Sequence, residues 1–391
     1  MRVIFIGQKG IPAISGGVER HVEDLAVRLV ELGHEVIVYT RRNYTDQNLA
    51  TYKGIHLISL PNIPTKHLDA ISHTFLACLD SLRRKPDVVH FHSIGPSFLL
   101  WIVKLLNPRV TVISTFHTMC YHHQKWSPFA RWSLRLGERV CCQLSDATIA
   151  ISKSLTGYVK QKYGRTAHYL PNGVNVSRTD NSDQLKSFNL EPRGYFLTVS
   201  RLVKHKGLQY AIEAFKRIDT DMKLVIVGDG AYTDDYVKHL HRMARKDSRI
   251  IFTGALSGEP LQQLYSHAYA FIQPSESEGL SISLLEAMAY ERPVLVSDIP
   301  ENLEALPKGE YVFKQKSILD LRAKMEWMLK NSGLIKNSGQ ANRKHVLSEY
   351  SWNDIAAGVV KVYKQTITAK KKQPTFFPRL KVVGKMMHLL F

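Results

Sequence analysis

The sequence predicts two α/β domains, each a doubly wound, mostly parallel sheet, facing one another across a cleft. Three observations lead there. The chain's 391 residues exceed what one hydrophobic core ordinarily organises and suit two domains of roughly 150 to 200 residues. Short runs rich in Val and Ile alternate with amphipathic stretches of helical period, the rhythm of βαβ units. The polar stretch "NVSRTDNSDQLKSFNLEPRG", full of turn formers and without a sustained period, separates one such series from the next.

The first series begins with the strand "RVIFIG", the helix "GGVERHVEDLAVRLVELG" and the strand "HEVIVYT". Further strands are expected at "IHLISL", "DVVHFHS", "TVISTFH" and "DATIAIS", so residues 1–175 form the first domain and 176–193 the connector. In the second series "YFLTVSRL", "MKLVIVGDG", "RIIFTGAL", "YAFIQPS" and "RPVLVSD" are strands, and "GLQYAIEAFKRI" and "EPLQQLYSHA" are helices, giving a domain over 194–350. A helix over 351–367 is expected to return to the first domain, and 368–391 to form a basic, apolar tail. That tail either packs on the body or docks on an anionic membrane face through residues 370–391.

Composition narrows the class. A net charge of +19 and a pI near 9.7 favour anionic partners without choosing among nucleic acid, phosphorylated small molecules and acidic lipid. Basic residues are scattered or tied to strand ends, and neither a zinc finger nor an aromatic RNA-binding signature occurs, so nucleic acid is not the expected partner. The four cysteines, Cys78, Cys120, Cys141 and Cys142, form neither a disulfide framework nor paired metal spacing, which suits a reducing cytoplasm. The longest apolar stretch, "SFLLWIVKLL", is interrupted by Lys104 and falls short of the ~20 residues that cross a bilayer. A cytoplasmic protein, with a peripheral place on the inner membrane face as one option, is the expectation.

The chemistry concentrates in the second series. "SESEGLSISLLEAM" carries Glu278 and Glu286 around Gly279, at the end of a strand where an open α/β sheet lines its ligand crevice. A helix starting around Gly279 would offer unpaired N–H groups and a positive dipole end to a phosphate. Eight residues of helix separate the two carboxylates by about 12 Å, too far to share a proton or a metal. They would instead grip separate hydroxyl-bearing parts of one ligand. Taken alone, the segment fits equally a capping carboxylate and a helix surface residue. Arg201 and Lys206 in "SRLVKHKG" follow another strand into the same crevice, and two fixed cations suit a diphosphate.

Together these segments resemble a known family. "PSESEGLSISLLEAMAYERPVLVSD", "SRLVKHKG" and the N-terminal "GGVERH" are similar to the retaining nucleotide-sugar glycosyltransferases of family GT4, which have the GT-B fold, over residues 1 to about 367. "PNGVN" and "FTGALS" also stand where the family's usual phrases would be. The resemblance implies that Glu278 contacts the transferred sugar, Glu286 the donor ribose, Arg201 and Lys206 the diphosphate, and that Gly279 and Leu280 present backbone amides. It implies that Gly16 and Gly17 approach donor phosphates and acceptor, and that His117 lies beside the reacting sugar, with His117 and Glu278 the catalytic residues. It further implies a nucleoside-diphosphate sugar as co-substrate, a glycan or lipid-linked acceptor in cell-surface polysaccharide or glycolipid assembly, and closure of the domains to exclude water. No cofactor or metal is expected, since cationic side chains would stabilise the leaving group and no D-x-D signature stands in the site loops.

The chain departs from the family after His117, where "FHTMCYHHQKWSPFARWSLRLGER" differs from the residues found in some bacterial polysaccharide-building members. There Arg131, Arg135 and Arg139 alternate with Trp132, Leu136 and Val140, so a helix with one basic and one apolar face is expected. Its basic face is either solvated or set against acidic lipid or a lipid diphosphate. A GT-B epimerase or sugar phosphorylase would share this architecture. An NADP-dependent dehydrogenase would place Arg41 and Arg42 on a 2′-phosphate, but Gly7 and Gly10 do not make G-x-G-x-x-G.

Overall fold

The computed structural model describes residues 1–372, except 66, 67, 123–125, 175, 177, 231, 232 and 308–310, together with residue 384. The chain divides into two compact units, one formed by Met1–Asn172 with the residues from Trp352 onward, the other by Gly173–Ser351.

Unit 1 holds eight strands: β1 (Arg2–Ile6), β2 (Glu35–Arg41), β3 (Thr51–Tyr52), β4 (Ile55–Leu60), β5 (Val88–His92), β6 (Thr111–Phe116), β7 (Ala147–Ala150) and β8 (His168–Tyr169). Their order is β3-β4-β2-β1-β5-β6-β7-β8. All pairs are parallel except β3 with β4. Every strand expected in this half is present, and the two-residue strands β3 and β8 are additional. Because connections leave β1 and β5 in opposite directions, the topological switch lies between their carboxyl ends.

The helix Gly17–Glu31 buries Val22, Leu25, Ala26 and Leu29, the 3.6-residue stripe its sequence predicts, against this sheet. On the same face sits the final helix, Trp352–Lys371, through Ile355, Ala356, Val359 and Tyr363. Each large aliphatic or aromatic side chain so buried is worth about 1.5–3 kcal/mol, which is what draws this helix back to unit 1. It runs past the expected end at 367 because Lys370 Nζ donates to Asp146 Oδ2 at 2.8 Å and to the Val110 carbonyl at 2.6 Å. Asp146 is gripped from its other side by Lys104 at 2.6 Å. Residues 368–371 are thus part of a packed helix. Of the tail expected to meet a membrane, 373–383 and 385–391 lie outside the described residues. Among the described residues no helix is long and apolar enough to cross a membrane.

Unit 2 holds β9 (Tyr195–Val199), β10 (Lys223–Val227), β11 (Ile250–Gly254), β12 (Ala270–Gln273), β13 (Val294–Ser297) and β14 (Tyr311–Phe313), in the order β11-β10-β9-β12-β13-β14 and parallel throughout. The expected strands are again all present, with β14 additional. The switch here lies between β9 and β12. The expected connector is tied down over much of its length: it carries a short helical turn, Asp183–Phe188, and buries Leu185 and Leu190. Gln184 N donates to Gln263 Oε1 at 2.8 Å and Arg193 N to the His267 carbonyl at 2.7 Å, so the segment is fastened to the helix Gly258–His267.

Candidate functional site

In unit 2 the loops after β9 and β12 meet at the switch point, where the sheet's geometry opens a crevice. Two glycines permit the approach. Gly207 has φ +69°, and a Cβ there would fall 1.8 Å from the Pro274 carbonyl oxygen; Gly228, at φ +136°, would set one 1.9 Å from that of Ser200. The Glu276 amide donates to the His205 carbonyl at 2.7 Å, pinning one loop to the other.

That apposition brings Lys206 directly onto Glu278. Lys206 Nζ lies 2.6 Å from Glu278 Oε1 and 2.7 Å from Oε2, with the two side chains 15% and 8% exposed. The Ser275 hydroxyl donates to the same Oε1 at 2.6 Å. Sugar-side carboxylate and phosphate-side cation, expected as separate grips, are therefore paired. Among the described residues the Arg201 guanidinium, half-buried in the same loop, forms no hydrogen bond or ion pair. An uncommitted guanidinium in the loop that also carries Lys206 is suited to a multiply charged oxyanion.

The helix expected from Gly279 begins instead at Ile282. Its N-cap is Ser281, whose hydroxyl oxygen accepts from the Leu284 amide at 3.3 Å. The same hydroxyl donates to Gln273 Oε1 at 2.9 Å, which fixes the cap one step downstream of the buried Gly279 and Leu280. Those two residues lie in the loop rather than in the first helical turn, and the Gly279 amide engages no acceptor among the described residues. Glu286 stands in the second turn, half-buried, with Tyr265 donating its hydroxyl to Oε2 at 3.2 Å. Tyr265 in turn stacks on Tyr290, ring centroids 5.2 Å apart and planes within 2° of parallel.

Several site residues were not foreseen. Gln273, Ser281, Asn302, Ser297 and Ser275 form one buried hydrogen-bonded chain beneath the loop. Glu276 receives the Tyr210 hydroxyl at 2.8 Å and Lys316 Nζ at 3.3 Å, while Gln315 Nε2 donates to its carbonyl at 2.6 Å. Only the repeated S-E-S-E pattern could have hinted at Glu276, since Gln315 and Lys316 are remote in sequence and join it through β14.

Unit 1 places His117 just after β6, buried against His92 at the end of β5 and His21 on the first helix. His92 Nδ1 and His117 Nε2 are 3.2 Å apart, and the His21 and His117 rings meet edge to face at 4.8 Å. His21 Nδ1 bonds Asn172 Oδ1 at 2.8 Å. His90, two residues before His92, has both nitrogens engaged, with the Tyr363 hydroxyl at 2.6 Å and Thr115 Oγ1 at 2.7 Å. Burial, the largest cause, holds all four imidazoles neutral: it lowers His21 to about 4 and puts His90, His92 and His117 well below 6.5, helped by their mutual repulsion. Gly16 and Gly17 open the first helix; at φ +107° a Cβ on Gly16 would meet Glu19 Oε2 at 2.1 Å. Glu19 accepts the Lys9 amide and Glu23 the Ala13 amide, which fixes the loop between β1 and this helix.

The helix expected around Arg131 runs from Pro128 to Gln143 and buries Leu136 and Val140. Trp132, expected on that apolar face, is 55% exposed and stacks on Phe129, itself 75% exposed. Among the basic residues Arg135 and Arg139 are exposed, and Arg135 lies over the Tyr121 ring. Arg41 is buried against Asp69 at 2.7 Å, which removes it as a partner for a cofactor phosphate, whereas Arg42 is exposed.

Two family models match the chain: Glycosyltransferase Family 4 over residues 15–178 and Glycosyl transferases group 1 over residues 180–345. An uncharacterised glycosyltransferase of Methanocaldococcus jannaschii, MJ1607, is 26% identical, the match covering 93% of this chain and 98% of that protein. Among solved structures, sucrose-phosphate synthase from Thermosynechococcus elongatus superposes with a TM-score of 0.80 at 19% identity, covering 94% and 99% of the two chains. Anabaena HepE in complex with UDP-glucose does so at 0.78 and 18%, covering 93% and 100%.

Proposed function

The chain belongs to the GT4 glycosyltransferases of the GT-B fold, and we propose that it moves a sugar from a nucleoside diphosphate to an acceptor hydroxyl with the anomeric configuration retained. The observation that carries this reading is the constellation at the switch point of unit 2: the Arg201 guanidinium without a partner among the described residues, Lys206 paired with Glu278, and Glu278 held by Ser275. A diphosphate arriving there would draw Lys206 toward its oxygens and leave the Glu278 carboxylate to accept hydrogen bonds from sugar hydroxyls. Glu286 is assigned to the ribose. HepE, which shares the fold, binds UDP-glucose, and this supports a nucleotide-linked donor.

In the proposed step the bond from the anomeric carbon to the β-phosphate oxygen breaks, its electron pair leaving with the phosphate. The acceptor oxygen bonds to the same face of that carbon, and its proton passes to the departing phosphate. Arg201 and Lys206 offset the charge growing on the leaving group, a role that elsewhere falls to a divalent ion, and on this ground we infer metal-independent transfer. Glu278 is restrained by Lys206 and Ser275, which favours a substrate-holding role over nucleophilic attack. His117, neutral and buried, is assigned to the transferred sugar, and Gly16 and Gly17 to donor phosphates and acceptor.

A panel of UDP-, GDP-, ADP- and dTDP-sugars, scored by thermal stabilisation and slow donor hydrolysis, tests the proposal. One positive donor is expected, and no response to any would overturn it. Product analysis without added acceptor separates transfer from epimerisation, and with inorganic phosphate from phosphorolysis. We further infer a glycan or lipid-linked acceptor of cell-surface assembly, met at an anionic membrane through the basic C-terminus. Truncation after Lys372 is expected to lower partition onto vesicles containing anionic lipid, and unchanged partition counts against the membrane role.

A further inference from the structure

We propose that unit 1 carries a transition-metal site, in which His21, His92 and His117 bind one Zn2+ through imidazole nitrogens, and that an ion held there blocks sugar transfer. One donor nitrogen from each ring lies within 4.8 Å of the others. The His92 Nδ1 to His117 Nε2 distance of 3.2 Å is close to the edge of a zinc tetrahedron, about 3.3 Å for nitrogens some 2.0–2.1 Å from the ion. The remaining edges need at most about 1.5 Å of closure, within reach of small ring rotations.

The surroundings support ligation as well as the spacing does. Asn172 Oδ1 can only accept, so His21 Nδ1 carries the proton and Nε2 keeps its lone pair. Metal-binding imidazoles are commonly oriented by such an outer acceptor. His90, which shares a strand face with His92, has both nitrogens committed and is not a ligand. Three imidazoles suit zinc, copper or nickel rather than the oxygen-seeking Mg2+. The site's nitrogen donor set differs from the oxygen ligands that an ion accompanying a diphosphate would take. Where His92 and His117 now share one proton between facing nitrogens, ligation would move it to the other nitrogen of its own ring, so neutral imidazoles take up the ion without net release of acid. The binding claim stands on geometry alone; the blocking claim rests on the assignment of His117 to the transferred sugar.

The test uses the full chain, stripped with a chelator, titrated with Zn2+ against a chromophoric competitor and with Co2+ by its visible absorption. One tight equivalent per chain is expected, distinct in stoichiometry from weak binding at other members of the 17 histidines. His92→Ala should abolish it. Asn172→Ala, which leaves all three donors, should weaken it about 10- to 100-fold and keeps the test decisive if the first variant fails to fold. Absence of a tight equivalent in the parent chain, or one that neither substitution weakens, overturns the site. Zn2+ should inhibit turnover of the active donor over the concentration range in which it binds, reversibly by chelation. Binding without inhibition overturns the blocking claim, whereas a chain that binds Zn2+ yet turns over no donor sinks the functional reading and leaves the site standing.

Discussion

Replacing Lys206 by Met removes an ammonium from a pair that is nearly dry, while keeping much of its stem. The Glu278 carboxylate, 8% exposed, is then left with the Ser275 hydroxyl as its remaining described partner. Breaking a fully buried pair costs about 3–5 kcal/mol. Because Lys206 retains 15% exposure we expect about 2–3 kcal/mol, at or just below the lower end of that range. For a unit the size of Gly173–Ser351 this lowers its melting temperature by roughly 4–12 °C. Glu278→Gln should cost about 1–2 kcal/mol, since the amide oxygen still accepts from Lys206. The double variant should recover about 1–2 kcal/mol relative to the sum of the singles, the coupling expected of groups in contact. Turnover should behave differently: Lys206→Met is expected to reduce it about 10²- to 10³-fold, with no recovery in the double variant. Differential scanning calorimetry of the four chains, with donor hydrolysis measured on the same samples, checks both. Additive stability losses, or turnover that returns when both charges are gone, would refute the idea that Glu278 stores the cation that the donor recruits.

Glu286→Gln should raise KM for the donor about 10- to 100-fold with kcat nearly unchanged, as loss of a charged hydrogen bond of about 1.5–3 kcal/mol dictates. Tyr265→Phe, which deletes only a hydroxyl from the same carboxylate, should raise it about fivefold, and equal effects of the two would contradict direct ribose contact. His73, buried near Arg41 and Asp69, is lowered from 6.5 to about 4, first by burial and then by the Arg41 charge. Between those values the unfolded chain binds more protons than the folded one, so the stability due to neutral His73 is complete above pH 6.5 and is lost as pH falls toward 4. A His73→Leu chain should show a shallower loss across that window, by up to about 1.4 kcal/mol per pH unit in denaturant titrations; parallel curves would show that His73 does not set the slope.

Strands were legible because burial on both faces of a parallel sheet demands unbroken runs such as "LVIV" and "AFIQ", which little else explains. The two-residue strands β3 and β8 carry no such run and exist only because a neighbouring edge was available to pair with. Lys206 and Glu278 were visible as residues, but not as a pair. Their contact depends on Gly207 approaching Pro274 across 67 residues of sequence, and no local pattern encodes that approach. The helix start misplaced at Gly279 has a similar origin, because Ser281 won the capping position through its bond to Gln273 on the preceding strand. The histidine cluster stayed hidden since its members lie on three elements whose adjacency follows from strand order alone.

The last helix, Trp352–Lys371, supplies Ile355, Val359 and Tyr363 to a core otherwise built from the first 172 residues. As the polypeptide leaves the ribosome, Gly173–Ser351 is complete in itself and can collapse at once. The amino-terminal sheet must wait, its apolar face uncovered and His90 lacking the Tyr363 hydroxyl, until Trp352–Lys371 has emerged. A fragment ending at Asn172 should therefore be a chaperone client or an aggregate, whereas Gly173–Ser351 is the piece to express alone.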